Sequence, residues 1–224
     1  MVRVVALREV AMPLFHGQDP DAMAWLHLLK EIISVAQELD IALSAWAQSA
    51  PEDWKFSTTT TSAQEGTSGN GDDDMACSHV YSTHGHAAVW NHYRAVRLIV
   101  NSIRMRAFSL LLECPTQCSA IIGLKTLCQE HIDALSKDLC HSVPYFFQTS
   151  SALTSNGAEN GFDSTAEIAP KMAELLAWPL TVAVSTDGVP TVQRGRMKDV
   201  LRICANASAN AVLESVIERG EFRF

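Results

Sequence analysis

Along most of the chain, apolar residues return every three or four positions, the period of one face of an α-helix. Leu26, Leu29, Ile33, Ala36, Leu39, Leu43 and Trp46 form the first stripe, which predicts a helix opening at Asp19-Pro20-Asp21 and ending before Pro51. Asp19 is suited to cap it, Pro20 to its first helical position, and Asp21 to the positive end of its dipole. Val89, Tyr93, Val96, Val100, Ile103, Ala107 and Leu110 predict a second, longer helix whose regular seam needs a helical partner. A third follows Pro115, carries Ile121, Leu124, Cys128, Ile132, Leu135 and Leu139 on its stripe, and stops at Pro144. From Met172 to Val184 the chain is apolar on nearly all sides, which predicts a central helix. Ser164 and Glu167 are spaced as a capping box for it, but Pro170 would sit badly a turn later; a start at Ala169 puts Pro170 just inside, and Pro179 should kink it. Two shorter helices close the chain. Met197, Val200, Leu201 and Cys204 line one; Val212, Leu213, Val216 and Ile217 line the other, with Gly220 as its stop.

Two stretches break the pattern. Residues 57–74 hold four consecutive threonines (Thr58 to Thr61), three glycines and three aspartates, and residues 148–164 are rich in Ser, Asn and Gly. Neither has the apolar content to offset its ordering entropy, so both read as flexible surface loops. With no run of period-two alternation, the expected fold is all-α: about six helices packed as an irregular bundle or a short helical array. Residues 1–18 read as an N-terminal segment ahead of one helical domain over 19–224.

Composition narrows the function. The 224 residues carry 17 Lys plus Arg and 25 Asp plus Glu, a net charge of −8, with 47% hydrophobic residues. That suffices for a core, while the acidic balance argues against direct contact with nucleic acid. No apolar run reaches the roughly 18–20 residues of a membrane span. Arg3, Arg8 and Glu9 interrupt the apolar start, so no secretory signal is expected. The six cysteines (Cys77, Cys114, Cys118, Cys128, Cys140 and Cys204) contain no C-x2-C pair and read as reduced thiols filling core positions.

Signatures of catalysis are missing: there is no G-x-S-x-G, H-E-x-x-H or G-K-[ST] motif. Gly66, Gly69 and Gly71 do not make a phosphate loop, because no strand precedes them and acids surround them. Cys140 and His141 are neighbours on a helix, so their side chains diverge. His79, His84, His86 and His92 crowd one stretch, but their spacing reads as exposed or capping histidines, and no metal or cofactor is expected. Arg94, Arg97 and Arg104 share a seam with Asn101 on the long helix. Such a seam pairs with acids on neighbouring helices, or it holds an anionic ligand.

Four stretches in order carry a resemblance. They are Glu38-Leu39-Asp40-Ile41-Ala42-Leu43-Ser44-Ala45-Trp46 with Pro51-Glu52-Asp53-Trp54; Ala88-Val89-Trp90-Asn91-His92-Tyr93-Arg94-Ala95-Val96-Arg97-Leu98; Asp138-Leu139-Cys140-His141-Ser142-Val143-Pro144-Tyr145; and Leu176-Ala177-Trp178-Pro179-Leu180-Thr181-Val182-Ala183, followed by Gln193-Arg194. Over about 26–217 the chain resembles the C-terminal regulatory region of fungal zinc binuclear cluster transcription factors. The resemblance implies an all-helical regulatory and effector region in the nucleus that controls transcription, often of nutrient use or secondary metabolism. Its partners would be the transcription machinery or a co-regulator, with a small-molecule effector as an option, and its motif residues would be structural. The family's six-cysteine, basic DNA-reading segment has no counterpart here, since the first cysteine, Cys77, sits next to acids. The chain is therefore expected to act without direct DNA contact or bound zinc. The alternative reading is a helical module that binds an anionic metabolite through Arg94, Arg97 and Arg104.

Overall fold

The structure is a computed structural model, and it describes residues 1–16, 22–60, 77–113, 119–147 and 168–219. Its helices are α1 (Val2–Phe15), α2 (Ala22–Gln48), α3 (His84–Leu112), α4 (Ser119–Ser142), α5 (Pro144–Phe147), α6 (Pro170–Ser185), α7 (Thr191–Ser208) and α8 (Ala211–Arg219). A 3-10 turn covers Glu52–Trp54, and two short strands, β1 (Ser57–Thr60) and β2 (Cys77–Val80), pair antiparallel. Among the described residues the fold is all-α apart from this two-stranded pairing.

α3 is the centre. Its regular seam meets helices on several sides, so residues all around it are buried, including Ala87, Trp90, Arg94, Leu98, Val100 and Phe108. It packs against α1, α2, α4 and α6, while α7 and α8 add a further layer behind α6. Two hydrophobic clusters result. One joins Val4, Leu7, Ala11 and Leu14 of α1 to Leu29, Ile32, Ala36 and Leu39 of α2 and to Val96, Val100, Ile103 and Ala107 of α3. The other joins Leu98 of α3 to Ile132, Leu135 and Leu139 of α4, Leu176, Leu180 and Val182 of α6, and Met197, Leu201 and Cys204 of α7. α3 feeds both, and Ile99, Met105 and Trp178 pack against both.

Most of the expected stripes are the buried ones. Met197, Val200, Leu201 and Cys204 all lie in the core, and Ala169 caps α6 with Pro170 at its first turn. α6 shares the centre with α3 and runs on through Pro179. Val89, Leu124 and Val212 depart from their expected core places, being 37%, 38% and 61% exposed. Trp46 of the first stripe, near the end of α2, is also 38% exposed while its ring packs on Trp90 and Tyr93.

Three expectations are corrected. Residues 2–15, set apart above as an N-terminal segment, form α1, whose Val4, Leu7, Ala11 and Leu14 are buried against α2 and α3. The start of the 57–74 loop is strand β1, with Ser57 opposite Val80 and Thr60 opposite Cys77. Its threonines are β-branched and suit a pleated strand. Pro144 ends α4 as expected, yet it also opens the single turn α5. The rest of the 57–74 loop, the 148–164 loop, Asp19-Pro20-Asp21, Cys114, Cys118, Glu167 and Gly220 lie outside the described residues.

Candidate functional site

α3 and α4 run antiparallel, since Asn101 lies beside His131 and Arg94 beside Asp138. Between them, and under Phe56 from the connector ahead of β1, is a cavity of about 220 Å³. Trp90, Tyr93, Arg94 and Arg97 face it from α3, and His131, Ala134, Leu135 and Asp138 from α4. The three-and-four spacing in each set follows from the helical repeat, which puts each set on one face.

One wall is an ion network centred on Asp40 of α2. Arg97 grips both its carboxylate oxygens, Nε to Oδ1 at 2.7 Å and Nη2 to Oδ2 at 3.0 Å. Asn101 donates from Nδ2 to Oδ1 at 2.9 Å, and Arg104 Nη1 and His131 Nδ1 each stand 3.6 Å from Oδ2. Burial pushes the Asp40 carboxyl up, but the hydrogen bond and charge of Arg97, with help from Asn101 and His131, outweigh it and leave it below the ordinary value. Burial lowers His131 further than Asp40 raises it, so its imidazole is neutral at neutral pH. Arg97 Nη1 also donates to the Tyr93 hydroxyl at 3.0 Å.

The other wall holds Arg94, only 1% exposed. Its Nη1 donates to the Tyr81 hydroxyl at 2.7 Å and to Asn91 Oδ1 at 2.8 Å, and Nη2 donates to His79 Nδ1 at 3.2 Å. These partners are neutral. The nearest carboxylate, Asp138, stands 4.0 Å from Nε. Phe56, Tyr81 and Trp90 offer ring faces 4.9 to 6.0 Å from the guanidinium carbon, which partly compensates the buried charge. Burial, then the charges of Arg94 and His141, hold His79 down to about 3. Asp40 answers Arg97 and Arg104 together, Glu130 acts on His131, and Arg94 has Asp138 as its one acidic neighbour among the described residues, 4.0 Å away. Asn91 Nδ2 and Arg104 Nε are buried without a hydrogen-bond partner among the described residues.

The histidine stretch does not converge. His86 stacks on Trp54 and meets Ser82 Oγ at 2.6 Å, His84 packs on Tyr145, and His92 stacks on Trp178. The expectation that His79 is exposed is corrected: the residue is 3% exposed. β2 alternates it with Val80, turning His79 into the interior beside Tyr81. His79, Asp138 and His141 bring ligand atoms within 4.8 Å of one another, a spacing a metal could use. Arg94 opposes that use. A guanidinium only donates, so His79 Nδ1 is the acceptor and the neutral ring keeps its proton on Nε2, the nitrogen facing Asp138. A metal there would need the other tautomer and would sit beside a cation.

The three arginines of the α3 seam thus divide: Arg94 and Arg97 line the cavity, whereas Arg104 lies behind Asp40 and supports it. Sequence reasoning missed Asp40, Asp138, His131 and Phe56 as parts of one site, because they come from three separate segments. Cys128 and Cys204 are buried and their thiols pushed up, Cys204 to about 12, which keeps them protonated core groups. Cys140 is half-buried and faces Gln193.

The first, third and fourth of the stretches singled out in the sequence each contact the second, on α3. Arg97 of the second holds Asp40 of the first, and Trp90 Nε1 donates to the Trp54 carbonyl at 2.7 Å. Trp46 packs on Trp90 and Tyr93. Arg94 approaches Asp138 of the third, and His92 stacks on Trp178 of the fourth with ring centroids 4.9 Å apart. Arg194 donates to the carbonyls of Val184, Thr186 and Val189, closing the end of α6. No family model matches the chain, and neither the curated proteins nor the solved structures contain a match to it.

Proposed function

We propose that this chain is the regulatory and effector region of a fungal zinc-cluster-type transcription factor, working in the nucleus through contacts with the transcription machinery or a co-regulator. One observation supports the reading: the first, third and fourth stretches behind the resemblance each touch the second, on α3, through Arg97–Asp40, Trp90–Trp54, Arg94–Asp138 and His92–Trp178. The region is a scaffold that presents surfaces, not a catalyst, and its acidic balance leaves DNA contact to another module. Fused to a foreign DNA-binding domain, the chain should raise or lower a reporter several-fold. A fusion that is folded, nuclear and silent across nutrient conditions would overturn the proposal.

A second reading, a helical module that binds an anionic metabolite, is favoured by the cavity itself, where Arg94 and Arg97 face one space. The two readings are compatible, since a bound metabolite is one way to control an effector region.

A further inference from the structure

We propose that the α3–α4 cavity binds a small organic monocarboxylate whose apolar body is about one ring in size. This deepens the second reading above and rests on it, but does not depend on a role in transcription.

Charge sets the ligand's sign. Arg94 is enclosed with neutral partners, Tyr81, Asn91 and His79, and its one nearby carboxylate is 4.0 Å away. Arg97 is matched by Asp40, but Asp40 also serves Arg104. One anion beside Arg94 would answer this buried guanidinium, and a second negative charge would meet Asp138, which is 46% exposed. His131 is neutral and adds no charge.

The free donors set the headgroup. A guanidinium has five N–H donors. Hydrogen bonds among the described residues engage three on Arg94 and three on Arg97, so neither guanidinium, both of which line the cavity, has used all its donors, and Arg94 Nε is turned toward Asp138 at 4.0 Å. A carboxylate can accept from both arginines at once.

The remaining lining sets the body. Phe56, Trp90, Tyr93 and Leu135 line the cavity with apolar surface, and the three rings also lie against the guanidinium groups. A cavity of roughly 150 Å³ holds a benzene molecule. At about 220 Å³ this one adds room for a carboxylate and little more.

The test is a titration of the full chain with benzoate, inorganic phosphate, citrate and benzyl alcohol, followed by thermal shift and by the Trp90 indole N–H resonance in NMR. Benzoate should bind at millimolar concentration or below and move the Trp90 signal, and benzyl alcohol should not. Asp138→Asn should tighten benzoate by about fivefold, the effect of removing one like charge a few ångströms away in a wet site. Ala134→Phe, an exposed position on α4 that lines the cavity, should fill it and weaken benzoate at least tenfold while leaving the fold intact. Phosphate or citrate binding in place of benzoate would overturn the proposed ligand class and leave the anion-binding reading standing. No shift with any anion would overturn both, and benzoate binding that ignores both substitutions would overturn the location. The reporter fusion is independent of every one of these outcomes.

Discussion

Arg97 and Asp40 form a two-pronged ion pair across 57 positions of sequence, tying α3 to α2 at the edge of the cavity. The pair is largely shielded from water, with 13% and 8% of the two side chains exposed. Removing the carboxylate strands Arg97 and Arg104 together. Asp40→Ala should cost about 3–5 kcal/mol, the usual penalty for leaving a buried charge without its partner. Urea unfolding of Asp40→Ala, Arg97→Ala and the double variant checks it. The double variant should lose clearly less than the sum of the singles, and strict additivity would show the two residues to be uncoupled.

Acid should weaken the protein through His79. Burial and the neighbouring cations hold this imidazole down to about 3, whereas an unfolded chain titrates it near 6.5. Between those values the unfolded state binds the extra proton, so stability is whole above about pH 6.5 and falls as pH drops toward 3. The slope reaches up to about 1.4 kcal/mol per pH unit. Asp40 acts in the same direction lower down, because its depressed carboxyl contributes stability above about pH 3.9 that is lost on protonation. Urea midpoints at a series of pH values should show the decline, and His79→Asn, which keeps an acceptor for Arg94, should flatten its upper part.

The core should respond by position. Leu180 is fully buried, and Leu180→Ala should cost about 2–5 kcal/mol through lost burial and the cavity left behind. Val192, 62% exposed at the start of α7, should change stability by less than about 0.5 kcal/mol when replaced by Ala. Thermal or urea unfolding of the pair measures the contrast.

Gly188 links α6 to α7 with φ at +84°, a backbone region that other residues enter at a cost. A Cβ there would also stand 2.9 Å from Gln129 Oε1 and from Met105 Cε. Gly188→Ala should destabilise by more than about 1 kcal/mol and loosen the Gln129 Nε2 bond to the Gly188 carbonyl, which is 2.7 Å long. Hydrogen exchange along α4 and α7 would report the loosening.

Periodicity made α2, α4, α7 and α8 legible because each turns an apolar stripe to a neighbour; α3 showed through its long regular seam and α6 through its apolar run, and the Ala169-Pro170 start is a local signal. The missed elements lack such signals. In α1, apolar side chains point both inward (Val4, Leu7) and outward (Val2, Val5, Val10), so no single face stands out. The β1–β2 pairing joins strands whose matched residues lie 17 to 23 positions apart, and each strand alone is four residues long. That pairing carries His79 inward, so its burial leaves no local mark in the sequence. The arginine seam was visible on one helix, but the acids that answer it sit on two others. Only tertiary packing brings Asp40 and Asp138 to it.

α3 supplies side chains to both hydrophobic clusters and to the walls of the cavity. Neither half of the molecule can come apart without baring the other half's oily surface along this shared rod. Heat or denaturant should therefore melt the described body in a single cooperative step, and a ligand that clamps Arg94 and Arg97 would steady regions well beyond its own contacts.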